Sequence, residues 1–338
     1  EITKALIEKA KLSAGVEIGV LKANDNKTYD FYRERIMFPI ANKNGDTISF
    51  GGRRQNGEEF AKSAKYLNGP ETEIYKKAEN LYGWHLSKRS IAKSGFAILC
   101  EGYTDVITMH QKECTQTVAT CGTALTEIQA KKLKRICEHV ILFRDGDAAG
   151  VKASIRDLEI LIKHGFRVSI VPLPADTDPD DFARSKTDVP TEIADLRIDA
   201  IEWYLTKLQK EAEEDPHAIA KVVFETSQLL FKITNELVQD GYVKAAAKIL
   251  KQPQKTIKNA ISELRIERQN ELEKASGGKG ISKDTLGLPE GADQAQFLQD
   301  RFCIVKNCYH FTKGDGFYQG TQFRITPLFH IKGKKENK

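Results

Sequence analysis

The chain has 338 residues, of which 40% are hydrophobic and 29% charged, a composition typical of globular proteins with two or three domains. It contains no run of eighteen apolar residues and does not begin with a basic segment followed by an apolar one. The sequence therefore predicts neither a membrane span nor a signal peptide, and a cytoplasmic location is the expectation. The six cysteines are scattered through apolar patterns, which is typical of buried thiols in a reducing compartment.

The net charge of +5 is unevenly distributed along the chain. Residues 27–93 contain thirteen Lys or Arg and eight Asp or Glu, whereas residues 95–185 contain eleven basic and thirteen acidic residues. One interpretation is an ordinary surface of mixed charge. The other is a basic part that binds a polyanion, followed by an acidic part that binds metal ions.

The first predicted strands form a hairpin. Two apolar runs, at 35–40 and 47–50, flank the Asn44-Gly45 dipeptide, which favours a tight turn between antiparallel strands. Residues 57–93 are polar and predict a loop or short helix around Lys76.

The pattern changes after residue 95. Short apolar runs at 96–100, 117–120, 140–143 and 168–171 alternate with amphipathic helical patterns at 104–112, 125–137 and 150–163. Nearly continuous apolar strands separated by helices indicate a parallel sheet with both faces covered. The fold class expected here is therefore α/β.

Strand signals vanish between 195 and 268, where helical spacing predicts a bundle of about four helices with breaks near 215–216, 240–241 and 252–253. A Gly-rich segment at 275–280 predicts a flexible linker. The aromatic and basic tail is expected to begin a further, incomplete domain, and the spacing of Cys303 and Cys308 does not favour zinc. The predicted divisions are 1–94, 95–185, 186–270, 271–295 and 296–338.

Acidic residues follow three of the predicted strands. Because the carboxyl ends of parallel strands meet at one edge of a sheet, these carboxylates are expected to lie together. Carboxylates so placed repel one another unless a cation neutralises them, and Mg²⁺ prefers oxygen ligands. In chain order the residues are Glu101, Asp105, Asp145, Asp147, Asp178 and Asp180.

Asp147 also has a purely structural interpretation, since it precedes Ala148 at the start of a predicted helix and is suited to capping that helix. Three separate strand ends would each need an unrelated reason for their carboxylates under that interpretation. The combination favours a divalent-metal site.

Two groups of motifs resemble one known family. The segments Glu101-Gly102-Tyr103-Thr104-Asp105, Gly122–Leu125, Asp145–Gly150 and Asp178–Asp180 resemble the Toprim domain of bacterial replicative primases of the DnaG type. Upstream, residues 29–40, 50–53 and 65–72 resemble the basic N-terminal subdomain of the same family. The resemblance covers roughly residues 1–270.

The resemblance implies a Toprim-type parallel sheet flanked by helices, preceded by a mixed α+β basic subdomain and followed by a helical bundle. It implies a DNA-directed RNA polymerase that makes short primers with Mg²⁺ or Mn²⁺. The implied partners are single-stranded DNA template, ribonucleoside triphosphates, the nascent RNA primer and the replicative helicase. Zinc is expected only in an N-terminal module whose Cys/His cluster this sequence does not show, and without it initiation at defined triplets is expected to be poor.

The resemblance also assigns roles to individual residues. Glu101, Asp145 and Asp147 would be the central catalytic, metal-binding acids, and Asp105, Asp178 and Asp180 would support them. Five basic residues would bind template and nucleotide phosphates, and two further residues would lie beside the metal site. The basic residues are Arg33, Arg35, Arg53, Lys65 and Lys76, and the other two are Gly122 and Thr123.

Two positions depart from the family pattern. Arg144 stands before Asp145 where a small or apolar residue is expected, and we expect it at the surface rather than in contact with phosphate. Gly69 stands where the family usually has Ser. Two alternatives remain at this point: a Toprim nuclease or topoisomerase, and a non-catalytic nucleic-acid-binding module. The helical region either completes the polymerase or only packs against it.

Overall fold

The computed structural model describes residues 2–9, 11–25, 27–55, 64–122, 124–212 and 215–275, together with four short strands between 302 and 324. The chain forms two compact units, Glu1–Ile266 and Glu267–Lys338. None of the helices in the described part of the chain is long and apolar enough to cross a membrane. The predicted domain boundaries within these units stay a prediction.

The N-terminal region consists of two short helices and antiparallel strands. Helices α1 and α2 precede a β1–β2 hairpin, and the predicted hairpin forms the first two strands of a three-stranded sheet of order β3-β4-β5. The elements are α1 Ile2–Glu8, α2 Leu12–Glu17, β1 Leu21–Asn24, β2 Lys27–Asp30, β3 Arg35–Ala41, β4 Thr47–Arg54 and β5 Tyr66–Asn68. A 3-10 turn at Lys77–Glu79 and helix α3, Trp84–Ser94, lead into the next sheet.

The central sheet has five strands in the order β10-β9-β8-β6-β7. Strands β6 to β9 run parallel, as the alternation of apolar runs and helices predicted, and β10 adds an antiparallel edge. The strands are β6 Phe96–Cys100, β7 Thr117–Ala119, β8 His139–Leu142, β9 Arg167–Ile170 and β10 Ile198–Asp199. The intervening helices are α4 Tyr103–Gln111, α5 Glu127–Lys134, α6 Ala148–Lys163, α7 Pro179–Ser185 and α8 Val189–Leu196.

The central sheet is buried on both faces. Leu99 and Leu142 join a core cluster that extends into the helical bundle, whereas Ile98 and Ile141 join a second cluster on the opposite face. Side chains on a strand point alternately to opposite faces, so successive residues of one strand contribute to different cores. Burying each such side chain stabilises the fold by about 2 kcal/mol. This double cover confirms the α/β fold class.

Four helices follow the sheet, as predicted: α9 Ala200–Ala212, α10 Pro216–Phe231, α11 Glu236–Ile249 and α12 Gln254–Ala275. The predicted break near Asp240-Gly241 is wrong, because α11 continues through it. The interruption lies instead before Asn235, whose side chain caps α11 by accepting hydrogen bonds from two backbone amides. A single Gly inside a helix costs only about 1 kcal/mol, which the packing of α11 outweighs.

In the second unit, β11 pairs with β12 and β13 pairs with β14, both antiparallel. Their bounds are β11 Phe302–Val305, β12 Cys308–Phe311, β13 Gln319–Gly320 and β14 Phe323–Arg324. The side chains of Cys303 and Cys308 and most of the predicted linker lie outside the described residues. Cys100, Cys114 and Cys137 are buried free thiols, as their apolar surroundings predicted.

Candidate active site

Six carboxylates lie beyond the carboxyl ends of β6, β8 and β9, and we call them the acid cluster. Glu101 directly follows β6, and Asp145 and Asp147 follow β8. The loop after β8 packs tightly on the loop after β9, because the Gly146 amide donates to the Thr177 carbonyl at 3.0 Å. The topology therefore brings together the residues that the sequence predicted at one edge. They are Glu101, Asp105, Asp145, Asp147, Asp178 and Asp180.

Asp145 is the electrostatic centre of the acid cluster. Burial, together with the negative charges of four neighbouring carboxylates, raises its pKa to about 7. Those neighbours, in decreasing order of effect, are Glu101, Asp105, Asp178 and Asp147. A raised pKa of this kind is typical of crowded carboxylates, and a bound cation would lower it.

Asp105 is the most buried member of the cluster, and one of its oxygens is already engaged. Its Oδ2 accepts a hydrogen bond of 2.8 Å from the Gly102 amide at the start of α4. Burial, together with the charges of Asp178, Asp180 and Glu101, raises the pKa of Asp105 to about 6 despite that bond. Asp105 therefore lies on the buried side of the acid cluster, with one oxygen bonded to the backbone.

Two further acids cap helices. Asp147 accepts a hydrogen bond of 2.7 Å from the Gly150 amide, and Asp178 accepts one of 2.7 Å from the Asp181 amide. The capping interpretation of Asp147 is therefore correct for its Oδ1. It does not exclude a metal-binding role, because its Oδ2 has no hydrogen-bond donor among the described residues. Asp180 is paired with Arg184 at 2.7 Å and accepts a hydrogen bond from Thr108.

The acid cluster consists of hard oxygen donors, which fit Mg²⁺ or Mn²⁺. Within the part of the chain that the structure describes, however, no three His, Cys, Asp or Glu side chains converge into a ready metal cage. This agrees with the usual binding mode of Mg²⁺, which takes one or two carboxylates and completes its shell with water and substrate phosphates.

Arg144 is not at the surface, and that expectation is wrong. The side chain is 3% exposed and forms a short ion pair with Asp157, whose side chain is 1% exposed and lies on α6. A buried guanidinium cannot lose its proton, so it needs a buried carboxylate within reach. Asp157 stands thirteen residues away in the sequence, on a helix where nothing in the local pattern marks it as a partner.

Basic residues lie beside aromatic rings on the sheet of β3 to β5, which we call the basic sheet, and in the segments just before β3 and β5. The Arg53 guanidinium lies 5.7 Å and the Lys65 ammonium 6.0 Å from the centre of the Tyr66 ring, and Arg33 lies 5.2 Å from the Tyr29 ring. None of these three cations forms an ion pair with a carboxylate in the described ranges. They are therefore available to an external polyanion.

The other predicted phosphate-binding residues differ in their surroundings. Arg35 donates to the Gly52 carbonyl at 3.0 Å and to the Ala64 carbonyl at 2.9 Å, so its guanidinium braces the sheet. Burial, aided by the charge of Arg54, lowers the pKa of Arg35. Lys76 is exposed. Gly122 has a φ of +77°, and Thr123 lies outside the described residues.

Asn68 joins the basic sheet to the first residue of α4 and to the loop after β7, contacts that the sequence did not predict. Its Oδ1 accepts a hydrogen bond from the Tyr103 hydroxyl at 2.8 Å, and its Nδ2 donates to the Cys121 carbonyl at 2.9 Å. Tyr103 stacks on Phe38 of β3 with ring centres 5.0 Å apart. Both residues belong to the motifs that carry the family resemblance, which is the one signal that marked them.

The departure at Gly69 is compensated by its neighbours. A Cβ atom at this position would lie 2.2 Å from Ser49 Oγ and 2.8 Å from the Tyr32 hydroxyl. Tyr32 donates a hydrogen bond of 2.7 Å to the Phe50 carbonyl, and Ser49 is buried. The hydroxyls of Ser49 and Tyr32 thus occupy the space in which a serine side chain at position 69 would lie.

Comparisons with known proteins agree with this arrangement. Residues 2–88 match the model of the DNA primase catalytic core, N-terminal domain, and residues 98–183 match the Toprim-like model. The DNA primase of Halalkalibacterium halodurans is 36% identical over 241 residues, which cover 68% of this chain. The chain spans only 39% of the length of that relative.

Solved structures give the same result. A DNA primase domain from Pseudomonas aeruginosa is 30% identical with a TM-score of 0.67, and the match covers 76% of this chain and 83% of that domain. A DnaG primase catalytic domain bound to single-stranded DNA is 27% identical with a TM-score of 0.65, covering 75% of this chain and 80% of that one. These matches show that the chain belongs to the DnaG-type family of bacterial DNA primases.

Proposed function

We propose that this chain is the RNA-polymerising core of a DNA primase, which joins ribonucleotides on a single-stranded DNA template in the cytoplasm. The observation that carries the proposal is the acid cluster, in which burial and four neighbouring carboxylates raise the pKa of Asp145 to about 7. Family membership supplies the reaction class. The related DnaG catalytic domain bound to single-stranded DNA supports the choice of template.

Glu101, Asp145 and Asp147 are the proposed ligands of one or more divalent ions. They follow β6 and β8, and none of the three residues is buried. Asp105, Asp178 and Asp180 are proposed to support these ligands rather than to bind the ion directly, because part of their hydrogen-bonding capacity is already used within the protein. When bound, Mg²⁺ or Mn²⁺ would lower the pKa of the attacking hydroxyl and neutralise charge on the triphosphate.

The protein itself contributes position and charge. In primer synthesis a 3′-hydroxyl attacks an α-phosphate and pyrophosphate leaves, so negative charge builds up on both the attacking and the leaving oxygens. Short loops fixed to the sheet hold the carboxylates of the acid cluster, which limits the reorganisation needed during reaction. Glu101, whose side chain is 37% exposed, is also suited to accept the hydroxyl proton.

The basic sheet is the proposed binding surface for template and nucleotide phosphates. Arg33, Arg53, Lys65 and Lys76 supply charge, whereas Arg35 acts mainly by holding β3 and β4 in position. The rings beside these cations offer faces on which bases can stack without sequence preference. Gly122 and Thr123 are proposed to border the metal site on the side of β7. The nascent primer and the replicative helicase are further proposed partners.

The direct test is primer synthesis by the purified chain. The protein is incubated with single-stranded DNA, the four ribonucleotides and Mg²⁺ or Mn²⁺, and compared with Asp145→Ala. We expect short RNA products, and a loss of at least about a hundredfold in the variant, because a central ligand is removed. Asp195→Ala removes an exposed carboxylate on α8 and is the matched control, which should retain full activity.

Other results would point elsewhere. Strand scission, or relaxation of supercoiled DNA, would favour a Toprim nuclease or topoisomerase. Tight DNA binding with no product under any metal would favour a non-catalytic binding module. Activity that survives Asp145→Ala would refute the proposed site.

A further inference from the structure

Arg144 is surrounded by the elements that carry the acid cluster. Its Nη1 donates to the Cys100 carbonyl at the end of β6 at 2.9 Å and to Thr120 Oγ1, just after β7, at 3.4 Å. Its Nη2 donates to the carboxylate of Asp157 on α6. One buried guanidinium thus connects the ends of three strands and a helix, immediately before Asp145.

The same guanidinium is close to Glu101 without bonding to it. Nη1 of Arg144 lies 3.9 Å from Oε1 of Glu101, which is within range for charge attraction but too far for a hydrogen bond. Nε of Arg144 is buried and has no hydrogen-bond partner in the described part of the molecule. The cation therefore stands between two carboxylates, with Asp157 1% exposed and Glu101 37% exposed at the side chain.

We propose that Asp157 and Glu101 compete for Arg144, and that Asp157 holds the guanidinium away so that Glu101 stays available to a divalent cation. Arg144 and Asp157 are then positioning residues that set the metal affinity of the acid cluster. This inference rests on the proposed function, because it assumes that Glu101 is a metal ligand.

The chemistry of arginine makes the competition one-sided. A guanidinium stays charged at any pH that a protein tolerates, so a buried arginine must find an anion. Asp157 is the better partner because α6 fixes it in place and the Leu125 amide also donates to it, at 3.3 Å. If its charge is removed, the nearest remaining carboxylate is that of Glu101.

A purely structural ion pair predicts something different. Breaking a buried pair destabilises a protein whichever partner is lost, because an uncompensated charge is left behind. Metal affinity of the molecules that remain folded would then be the same in both variants. Competition for Arg144 instead predicts opposite effects of the two substitutions on metal affinity.

The test measures Mn²⁺ binding to the whole chain in the absence of DNA and nucleotide, by following the electron paramagnetic resonance signal of free Mn²⁺. We expect Asp157→Asn to weaken binding about tenfold, because Arg144 turns to Glu101. Arg144→Met should strengthen binding several-fold, because a competing cation is lost. The double variant should bind Mn²⁺ at least as tightly as the wild type. Glu159→Gln changes a partly exposed carboxylate on the same helix, which pairs with Lys232, and should leave Mn²⁺ binding unchanged.

Thermal melts followed by circular dichroism establish that each variant is folded at the titration temperature. If Asp157→Asn does not fold, Arg144→Met decides, and it must bind Mn²⁺ several-fold more tightly than the wild type. Equal weakening by both single substitutions, or no change in either, would overturn the inference. Failure of the wild type to bind Mn²⁺, or binding unaffected by Asp145→Ala, would instead refute the proposed metal site.

Discussion

The basic sheet, β3 to β5, and the acid cluster at the edge of the central sheet differ in how closely their charges are placed. Cations on the basic sheet are spread out, each beside an aromatic ring or a backbone carbonyl. Carboxylates of the acid cluster are crowded, so that burial and mutual repulsion raise the pKa of Asp145 to about 7. The first surface is stable without a ligand, whereas the second is electrostatically incomplete until a cation binds.

The loops that carry the acid cluster pack closely through their backbones. We expect a substitution that disturbs this packing to have the largest effect on primer synthesis. A Cβ atom at Gly146 would lie 1.9 Å from the Pro174 carbonyl oxygen. Gly146→Ala should therefore displace the loop that carries Asp145, lowering primer synthesis at least about a hundredfold and the free energy of unfolding by about 3 kcal/mol. Synthesis assays and urea unfolding measure both effects.

Gly241→Ala is the matched control for that substitution. Gly241 lies inside α11, and no atom other than those of its chain neighbours and the adjacent helix backbone would lie within 4 Å of an added Cβ. This variant should keep full activity and gain about 0.5 to 1 kcal/mol of stability, since Ala favours the helix. If the two alanine variants had equal activity and stability, close packing of the loops that carry the acid cluster would not be required.

Asn68 links the two regions, so its removal tests whether they act together. Asn68→Ala should lower primer synthesis about tenfold or more without weakening DNA binding, because it removes the hydrogen bonds from β5 to Tyr103 and to the Cys121 carbonyl. Tyr103→Phe removes one of the two hydrogen bonds but keeps the stacked ring, and should cost less. A loss of DNA binding in parallel with activity would contradict this role.

The positions of the acids followed from the sequence, but their connections did not. Parallel strands alternate with helices, so Glu101 and Asp145 had to end at one edge whatever the details of packing. Arg144 and Asn68 find their partners through tertiary contacts, which no local pattern records. Strand β10 and helix α3 were also missed, since two residues and a polar segment give no clear periodicity.

Asp145 should make the metal-free protein sensitive to pH. Its folded pKa, about 7, lies above the ordinary value of 3.8. Its contribution to stability is then fully present below pH 3.8 and is lost as pH rises through about 7. Asp145→Asn should abolish that loss and stabilise the metal-free protein above pH 7 by about 1 kcal/mol, since water screens part of the repulsion.

Thermal unfolding in the presence of a chelator, across the same pH range, measures this effect. Adding Mg²⁺ should raise the melting temperature of the wild type but not that of Asp145→Asn. A wild-type protein whose stability is independent of pH and of Mg²⁺ would contradict the view that the carboxylates of the acid cluster repel one another until a cation binds.

The basic sheet should show the smallest effect. Arg53→Gln should weaken binding of single-stranded DNA and reduce the slope of log affinity against log salt by about one. Lys93→Gln, at the exposed end of α3, is the control and should leave the slope unchanged. Fluorescence anisotropy with a labelled oligonucleotide measures both variants, and an unchanged slope in Arg53→Gln would remove that residue from the binding surface.

The most direct measurement is the anomalous scattering of Mn²⁺ in crystals of the chain soaked with manganese and a ribonucleoside triphosphate. We predict a peak between the carboxylates of Glu101, Asp145 and Asp147, lost in crystals of Asp145→Ala. A chain that makes primers while its manganese binds elsewhere, with no density at these three residues, would contradict the proposal that the acid cluster holds the catalytic ion.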